Sequence, residues 1–171
     1  GAGPATTNSP PPVSMPAGRA GGRSAQALYQ EGRYEDAAKA YQAAARGAGL
    51  KLETDLLYNA GCALFKVGRY REAADQFRDL LQRDKIDIAA AAYNRGVALY
   101  SGALSTNGAA DEFNRAEQKA DFLRESAEAF QRALRTAPQS DPSRKSLSAI
   151  LQKIPEADEQ AKIASLMKTY G

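Results

Sequence analysis

Few side chains in this chain could carry out chemistry. Of its 171 residues none is His or Trp, and Cys62 is the single Cys. Such a set cannot provide a His-dependent triad, a His-ligated metal, a zinc knuckle or an internal disulfide. Ser165 and Lys168 have the Ser-x-x-Lys spacing of certain hydrolases, but the accompanying motifs are missing and we attribute the match to chance. The sequence therefore predicts a protein that is not an enzyme and uses no metal or cofactor.

Charged side chains are arranged as solvated helix faces. The 23 Lys and Arg residues exceed the 20 Asp and Glu residues by three. Acidic pairs such as Asp158 and Glu159 have basic neighbours. Over residues 69–84, Arg alternates with Asp and Glu, which cancels the field that phosphate binding needs. We therefore predict no nucleic-acid partner. No segment is apolar enough to insert in a membrane, and none has the pattern of a signal peptide.

Cys62 lies inside a predicted helix and has no His with which to form a dyad. We interpret it as a small core or groove residue, and a redox sensor is the alternative.

The N-terminal segment differs in composition from the rest of the chain. Residues 1–22 contain five Pro and no acidic residue, a composition typical of a flexible leader. A docking peptide for the groove of a partner is the alternative. After residue 22 the helix-favouring residues Ala, Leu, Gln, Glu, Arg and Lys dominate.

Internal repeats organise the helical part. Segment 31–41 reappears 36 residues later as 67–77, and segment 57–65 reappears 35 residues later as 92–100. Each unit reads as two helices joined by a Gly-Arg turn. Small residues such as Gly61 would allow the two backbones to approach, with a ring such as Phe77 around the contact.

This pattern resembles the tetratricopeptide repeat (TPR), over about residues 23–151. The resemblance implies an all-α right-handed superhelix, or α-solenoid, of three helix-turn-helix repeats in a TPR domain over residues 23–153. The repeats cover about residues 23–50, 53–86 and 88–140, and Pro138 occupies the closing position.

The third repeat carries an insertion, over about residues 102–120. We expect it to begin as a turn at residues 101–108 and to become helical from about Ala109. Apolar residues then continue at helical spacing into the second helix of the repeat, which predicts one helix of about 27 residues. These residues are Phe113, Ala116, Ala120, Leu123, Ala127 and Phe130.

Capping helices are expected to follow. Ser140 is a good N-cap for a helix through about Lys153. Pro155 is expected to start a separate amphipathic helix over residues 154–171, with Ile163, Leu166, Met167 and Tyr170 on one side. We interpret both helices as caps of the solenoid. Docking to a partner, or to a second copy as an oligomer, is the alternative.

The first helices of the three repeats share one stripe of residues, which we name the aromatic stripe. Its members are Tyr29, Tyr58, Asn59, Cys62, Phe65, Tyr93, Asn94, Val97 and Tyr100. The TPR resemblance implies that they line a concave surface holding an extended peptide or a partner helix, with Asn59 and Asn94 bonding the peptide backbone. We expect the rings to be accessible. In the alternative interpretation some of them only pack between repeats.

A chaperone tail is not the predicted ligand, because Asn94 stands where the carboxylate clamp of chaperone-binding relatives requires Arg. The chain also resembles TPR proteins of bacterial Bat (aerotolerance) operons. That likeness implies a protein-binding scaffold in cell-envelope assembly, and a bacterial periplasmic location. A cytoplasmic location remains the alternative, as does a regulatory or accessory domain of a larger enzyme or signalling protein.

Overall fold

The computed structural model describes residues 20–84, 86–105 and 112–170. Within these ranges the chain is all helical and has no strand. Its helices are α1 (Ala20–Gln30), α2 (Tyr34–Ala45), α3 (Leu50–Val67), α4 (Tyr70–Leu80), α5 (Ile88–Leu104), α6 (Glu112–Thr136) and α7 (Asp141–Tyr170). The predicted all-α fold is confirmed. The predicted leader lies outside the described residues up to residue 19, and α1 begins at Ala20, before the predicted start at residue 23.

The helices stack in chain order. Each of them packs mainly against its neighbours in sequence, from α1 on α2 to α6 on α7. Buried residues from all seven helices form one continuous core cluster. Nearest-neighbour stacking around a continuous core is the architecture of a helical repeat solenoid, as the internal repeats predict.

Two identical turns show the repeat in the backbone. Gly32 and Gly68 have φ values of 79° and 91°, a left-handed conformation that glycine adopts without a Cβ clash. Each turn closes with the same pair of hydrogen bonds: the Gly68 N–H donates to the Phe65 carbonyl, and the Arg69 N–H donates to the Leu64 carbonyl, both at 3.0 Å. This Schellman pattern ends the first helix and starts the second.

Inside each repeat, a glycine of the first helix lies against a phenylalanine of the second. A Cβ added to Gly61 would lie 2.8 Å from the Phe77 ring, and one added to Gly96 would lie 2.8 Å from the Phe130 ring. The predicted close approach of the paired helices is therefore confirmed. A tyrosine covers each phenylalanine edge-on, at centroid distances of 5.5 Å for Tyr58 and 5.7 Å for Tyr93.

The insertion lengthens two helices. α6 runs without a break for 25 residues, which confirms the predicted continuous helix in place of a short second helix. The predicted turn at 101–108 is wrong in its first part, because α5 continues through Leu104. The reason is a contact with α6: Gly102 lies so close to Phe122 that an added Cβ would be 2.7 Å from the ring. The remainder of that turn, and Ala109, lie outside the described residues.

The C-terminal segment is one helix of 30 residues with Pro155 inside it, so the prediction of two separate helices is wrong. Pro155 has no N–H to donate to the preceding turn. Burial on both sides of it holds the helix together, because Ile150, Ala157 and Ala164 all pack inward. Arg124 of α6 also forms an ion pair with Asp158. Packing against α6 therefore outweighs the lost hydrogen bond.

Candidate functional site

The structure brings the central part of the aromatic stripe together. The Asn94 amide of α5 donates a hydrogen bond to the Tyr58 hydroxyl of α3 at 2.8 Å. The same amide nitrogen lies 3.8 Å from the Cys62 sulfur. These contacts join the first helices of repeats two and three. The central part of the stripe therefore connects these two repeats.

Most of the stripe is buried, contrary to the expectation that its rings are accessible. Seven of the nine residues have at most 7% of their surface exposed: Tyr58, Asn59, Cys62, Phe65, Asn94, Val97 and Tyr100. The accessibility prediction is therefore wrong for Tyr58, Phe65 and Tyr100. Tyr58 packs edge-on against Phe77, and Phe65 lies beside Tyr70, so the second helix of the same repeat covers part of both rings. Packing between repeats, the alternative interpretation, describes Tyr58, Cys62 and Asn94, whose side chains meet between α3 and α5.

Tyr29 and Tyr93 are the stripe residues that keep partial exposure. Tyr29 lies near the end of α1, and its ring contacts Tyr34 edge-on at 5.0 Å. Tyr93 lies in α5, braced by Phe130. Both rings are held in place by a second ring while part of their surface faces solvent. They are therefore the stripe residues that a partner could contact without rearrangement.

The two asparagines face inward. Asn59 is fully buried and Asn94 is 2% exposed. Asn59 lies beside Tyr41; burial raises the pKa of Tyr41 to about 12, and the Asn59 side chain acts in the opposite direction. Asn94 is engaged with Tyr58. In this state both amides serve contacts between repeats, and bonding to a peptide backbone would require them to turn outward.

Burial also decides the chemistry of Cys62. It raises the pKa of the thiol to about 12, although Lys66 acts in the opposite direction. Burial likewise raises the pKa of Tyr58 above the ordinary value, with the neighbouring Cys62 adding to the shift. The thiol is fully covered and protonated at neutral pH, so it lacks the exposed thiolate that a redox sensor needs.

Sequence reasoning missed a contact that fixes α6 to repeat two. The Arg71 guanidinium of α4 donates to both carboxylate oxygens of Glu125 in α6, at 3.1 and 2.7 Å. It also lies over the Phe122 ring, 4.5 Å from its centroid. The two charged partners are 54 residues apart, so no local pattern could pair them. A bidentate ion pair with a stacked ring gives the long helix a defined orientation.

An open depression of about 580 Å³ lies at the first turn and was also missed. It is lined by Gly32, Arg33, Tyr34, Glu35, Asp36, Lys39 and Val67. Both signs of charge line it, and Arg33 is paired with Asp36 at 2.8 Å. Among its lining residues there is no buried polar group that would select a ligand.

The predicted apolar side of the C-terminal helix is exposed. The exposed fractions are 48% for Ile163, 51% for Leu166, 60% for Met167 and 84% for Tyr170. We name these four residues the C-terminal stripe. Among the residues that the structure describes, no group of three or more His, Cys, Asp or Glu could hold a metal ion. No described helix is both long and apolar enough to cross a membrane.

Comparison with known proteins identifies one match. A family model described as tetratricopeptide repeat matches residues 16–51 and 58–123, which is more than half of the chain. The matched ranges include both Gly-Arg-Tyr turns and most of the first helices. No curated protein and no solved structure matches the chain.

Proposed function

The chain belongs to the tetratricopeptide repeat family, whose members generally mediate protein–protein interactions, and we propose that it is a scaffold whose partner docks along α1, α3 and α5. The partner would be an extended peptide or a helix. The observation that carries the proposal is the partial exposure of Tyr29 and Tyr93 in an otherwise closed aromatic stripe.

Pre-organised rings suit this role. Tyrosine is enriched among the residues that dominate binding energy at interfaces. Because Tyr34 and Phe130 already hold these two rings, a partner would lose little additional side-chain entropy on contact. The buried members of the stripe, such as Tyr58 and Asn94, would act indirectly by fixing the spacing between α3 and α5.

Partner capture with the full-length natural protein tests the proposal. We expect the Tyr29→Ala/Tyr93→Ala variant to bind its partner at least about thirtyfold more weakly, because truncating an interface anchor costs about 2 kcal/mol or more. Tyr170→Ala is the matched control, since Tyr170 is an exposed tyrosine on another surface. It should bind like the unmodified protein.

A second variant separates binding from folding. Tyr29→Phe/Tyr93→Phe keeps both ring–ring contacts, so its stability should be close to that of the unmodified protein. We expect it to retain partner binding to within several fold, because most of the contact area of each ring remains. A folded Tyr29→Ala/Tyr93→Ala variant that binds its partner with unchanged affinity would contradict the proposal.

A role in bacterial cell-envelope assembly is the finer form of the proposal, and the resemblance to proteins of Bat operons supports it. The alternative is a regulatory or accessory TPR domain of a larger enzyme or signalling protein. The full-length gene and fractionation of its product distinguish the two. A membrane anchor or a periplasmic product would support the envelope role. A catalytic domain in the same polypeptide would support the alternative.

A further inference from the structure

Among the described helices, α7 has the largest group of exposed apolar side chains on one face, and this group lies on its last two turns. Ile163, Leu166, Met167 and Tyr170 are spaced by three, one and three residues, which places them on one side of a helix. Ala164 is the buried residue of these turns, and every residue from 165 to 170 is exposed. The C-terminal stripe is therefore an apolar face at the exposed end of α7. Its presence in water needs an explanation.

We propose that the C-terminal stripe is the contact between two copies of this chain, which pair their α7 ends antiparallel about a two-fold axis. A two-fold contact requires a surface that is complementary to itself. The spacing of the stripe reads the same in both directions. With the axis between residues 166 and 167, Leu166 faces Met167 of the second copy and Ile163 faces Tyr170 of the second copy.

Charge favours this register. Glu156 and Glu159 continue the same helix face toward the N-terminus and are exposed. In a parallel in-register pair each would face the same carboxylate of the second copy, which is destabilising. In the antiparallel pair Glu159 lies about one turn beyond Tyr170 of the second copy, so it does not face Glu159 of that copy. Sliding the helices further over each other would bury these carboxylates against apolar side chains, at a large cost.

A membrane surface fits less well than a second copy. Residues 156–170 contain three acidic and two basic side chains, a net charge of −1. Amphipathic helices that lie on anionic membranes have Lys and Arg on their polar face. The apolar face also covers two turns only, and both acidic residues of the preceding turns would meet the headgroups.

The area of the stripe predicts a weak dimer. At about 200 Å² for a side chain of this size, the exposed fractions correspond to roughly 500 Å² per copy. Two copies would bury roughly 1,000 Å², the lower limit for a specific interface. We expect a dissociation constant weaker than about 1 µM, so the dimer should form and dissociate with concentration.

Sedimentation equilibrium over about 10 µM to 1 mM protein tests the pairing. We expect a concentration-dependent dimer that Leu166→Asp weakens at least about tenfold, because the introduced carboxylate would lie in the apolar contact. Leu151→Asp is the matched control. Leu151 is an equally exposed leucine of α7, at 49%, but it lies on a different face of the helix, and its substitution should leave the dimer unchanged.

Spin labels on Glu156→Cys test the orientation, because buried Cys62 should stay unlabelled. The antiparallel register separates the two labelled positions by about 21 residues, or about 32 Å along the helices. A parallel pair would place them about 10 Å apart. A protein that stays monomeric, a dimer that survives Leu166→Asp, or a separation near 10 Å would each overturn the proposal. The aromatic stripe is not involved, so none of these results bears on partner binding there.

Discussion

The contact between Gly96 and Phe130 gives a quantitative test of the repeat packing. In Gly96→Ala the new Cβ would lie 2.8–2.9 Å from three ring carbons of Phe130, well inside the roughly 3.5–4.0 Å optimum for two carbon atoms. Phe130 has no exposed surface and Tyr93 packs against it, so the ring has no free space to move into. Overpacking of this kind costs about 1–3 kcal/mol.

Helix propensity acts in the opposite direction. Alanine is favoured over glycine inside a helix by about 1 kcal/mol, so we expect Gly96→Ala to lower the free energy of unfolding by a net amount of about 0–2 kcal/mol. In the background of Phe130→Leu the clashing ring atoms are gone, and the same change should stabilise the protein by up to about 1 kcal/mol. The coupling energy between the two sites, about 1–3 kcal/mol, isolates the clash because the propensity cancels in the cycle.

Urea unfolding of the four proteins in the cycle measures this coupling. Equal m-values would show that the variants unfold from equally compact states. Gly47→Ala is a control, because a Cβ at Gly47 meets no atom within 4 Å, and its effect should be small. A coupling energy below about 0.5 kcal/mol, the range of independent sites, would refute the packing described for α5 and α6. So would a clear stabilisation by Gly96→Ala in the unmodified protein.

Three further predictions concern burial and charge. Tyr100→Ala should lower the free energy of unfolding by about 3–5 kcal/mol in chemical denaturation, because Tyr100 is 1% exposed; an unchanged midpoint would show that the ring is not core. Cys62 should react with iodoacetamide at about pH 8 only as fast as the protein unfolds, since burial raises its thiol pKa to about 12, and rapid labelling of the native protein would contradict this. Arg71 lowers the pKa of the Glu125 carboxyl in the folded protein. The ion pair therefore stabilises the folded state at pH values above the pKa that Glu125 has in the unfolded chain. This stabilisation is lost as the pH falls through the lower pKa that Glu125 has in the folded protein. Glu125→Gln should therefore lower the free energy of unfolding by about 0.5–1 kcal/mol at about pH 7, a value discounted for solvent exposure. The difference in urea midpoint between the variant and the unmodified protein should vanish in acid. A difference that persists below about pH 3 would show that the ion pair is not its source.

The parts of the fold that the sequence predicts are those encoded locally and repeated. A glycine that ends one helix and the Arg-Tyr that starts the next occur twice, at Gly32 and Gly68, and both form the same turn. The helical spacing of the insertion likewise predicts α6, since its apolar residues continue into the second helix of repeat three.

The errors arise where a distant contact decides the local structure. Ser101–Leu104 reads as a turn, but Gly102 packs on Phe122 and keeps α5 helical. Pro155 reads as a helix start, but the surface of α6 holds α7 together through it. Neither contact can be read from the residues on either side.

The candidate site shows the same division. Periodicity identifies the face on which Tyr58, Phe65 and Tyr100 lie, because equivalent spacings recur in successive helices. It does not show which side chains cover that face: Phe77 packs on Tyr58 and Tyr70 packs on Phe65, and both rings are buried. Periodicity also places Tyr170 and its apolar neighbours on one side of α7, and that side is exposed because no later element of the described chain covers the last turns.

A site-specific photo-crosslinking map in the full-length natural protein would show directly whether a partner docks along α1, α3 and α5. A benzophenone side chain would replace Tyr29 or Tyr93, and the exposed residues Lys39 of α2 and Arg78 of α4 serve as control positions. We predict that both tyrosine positions crosslink to the same protein, other than this chain, and that neither control does. Crosslinks to that protein from Lys39 and Arg78, with none from Tyr29 and Tyr93, would contradict the account.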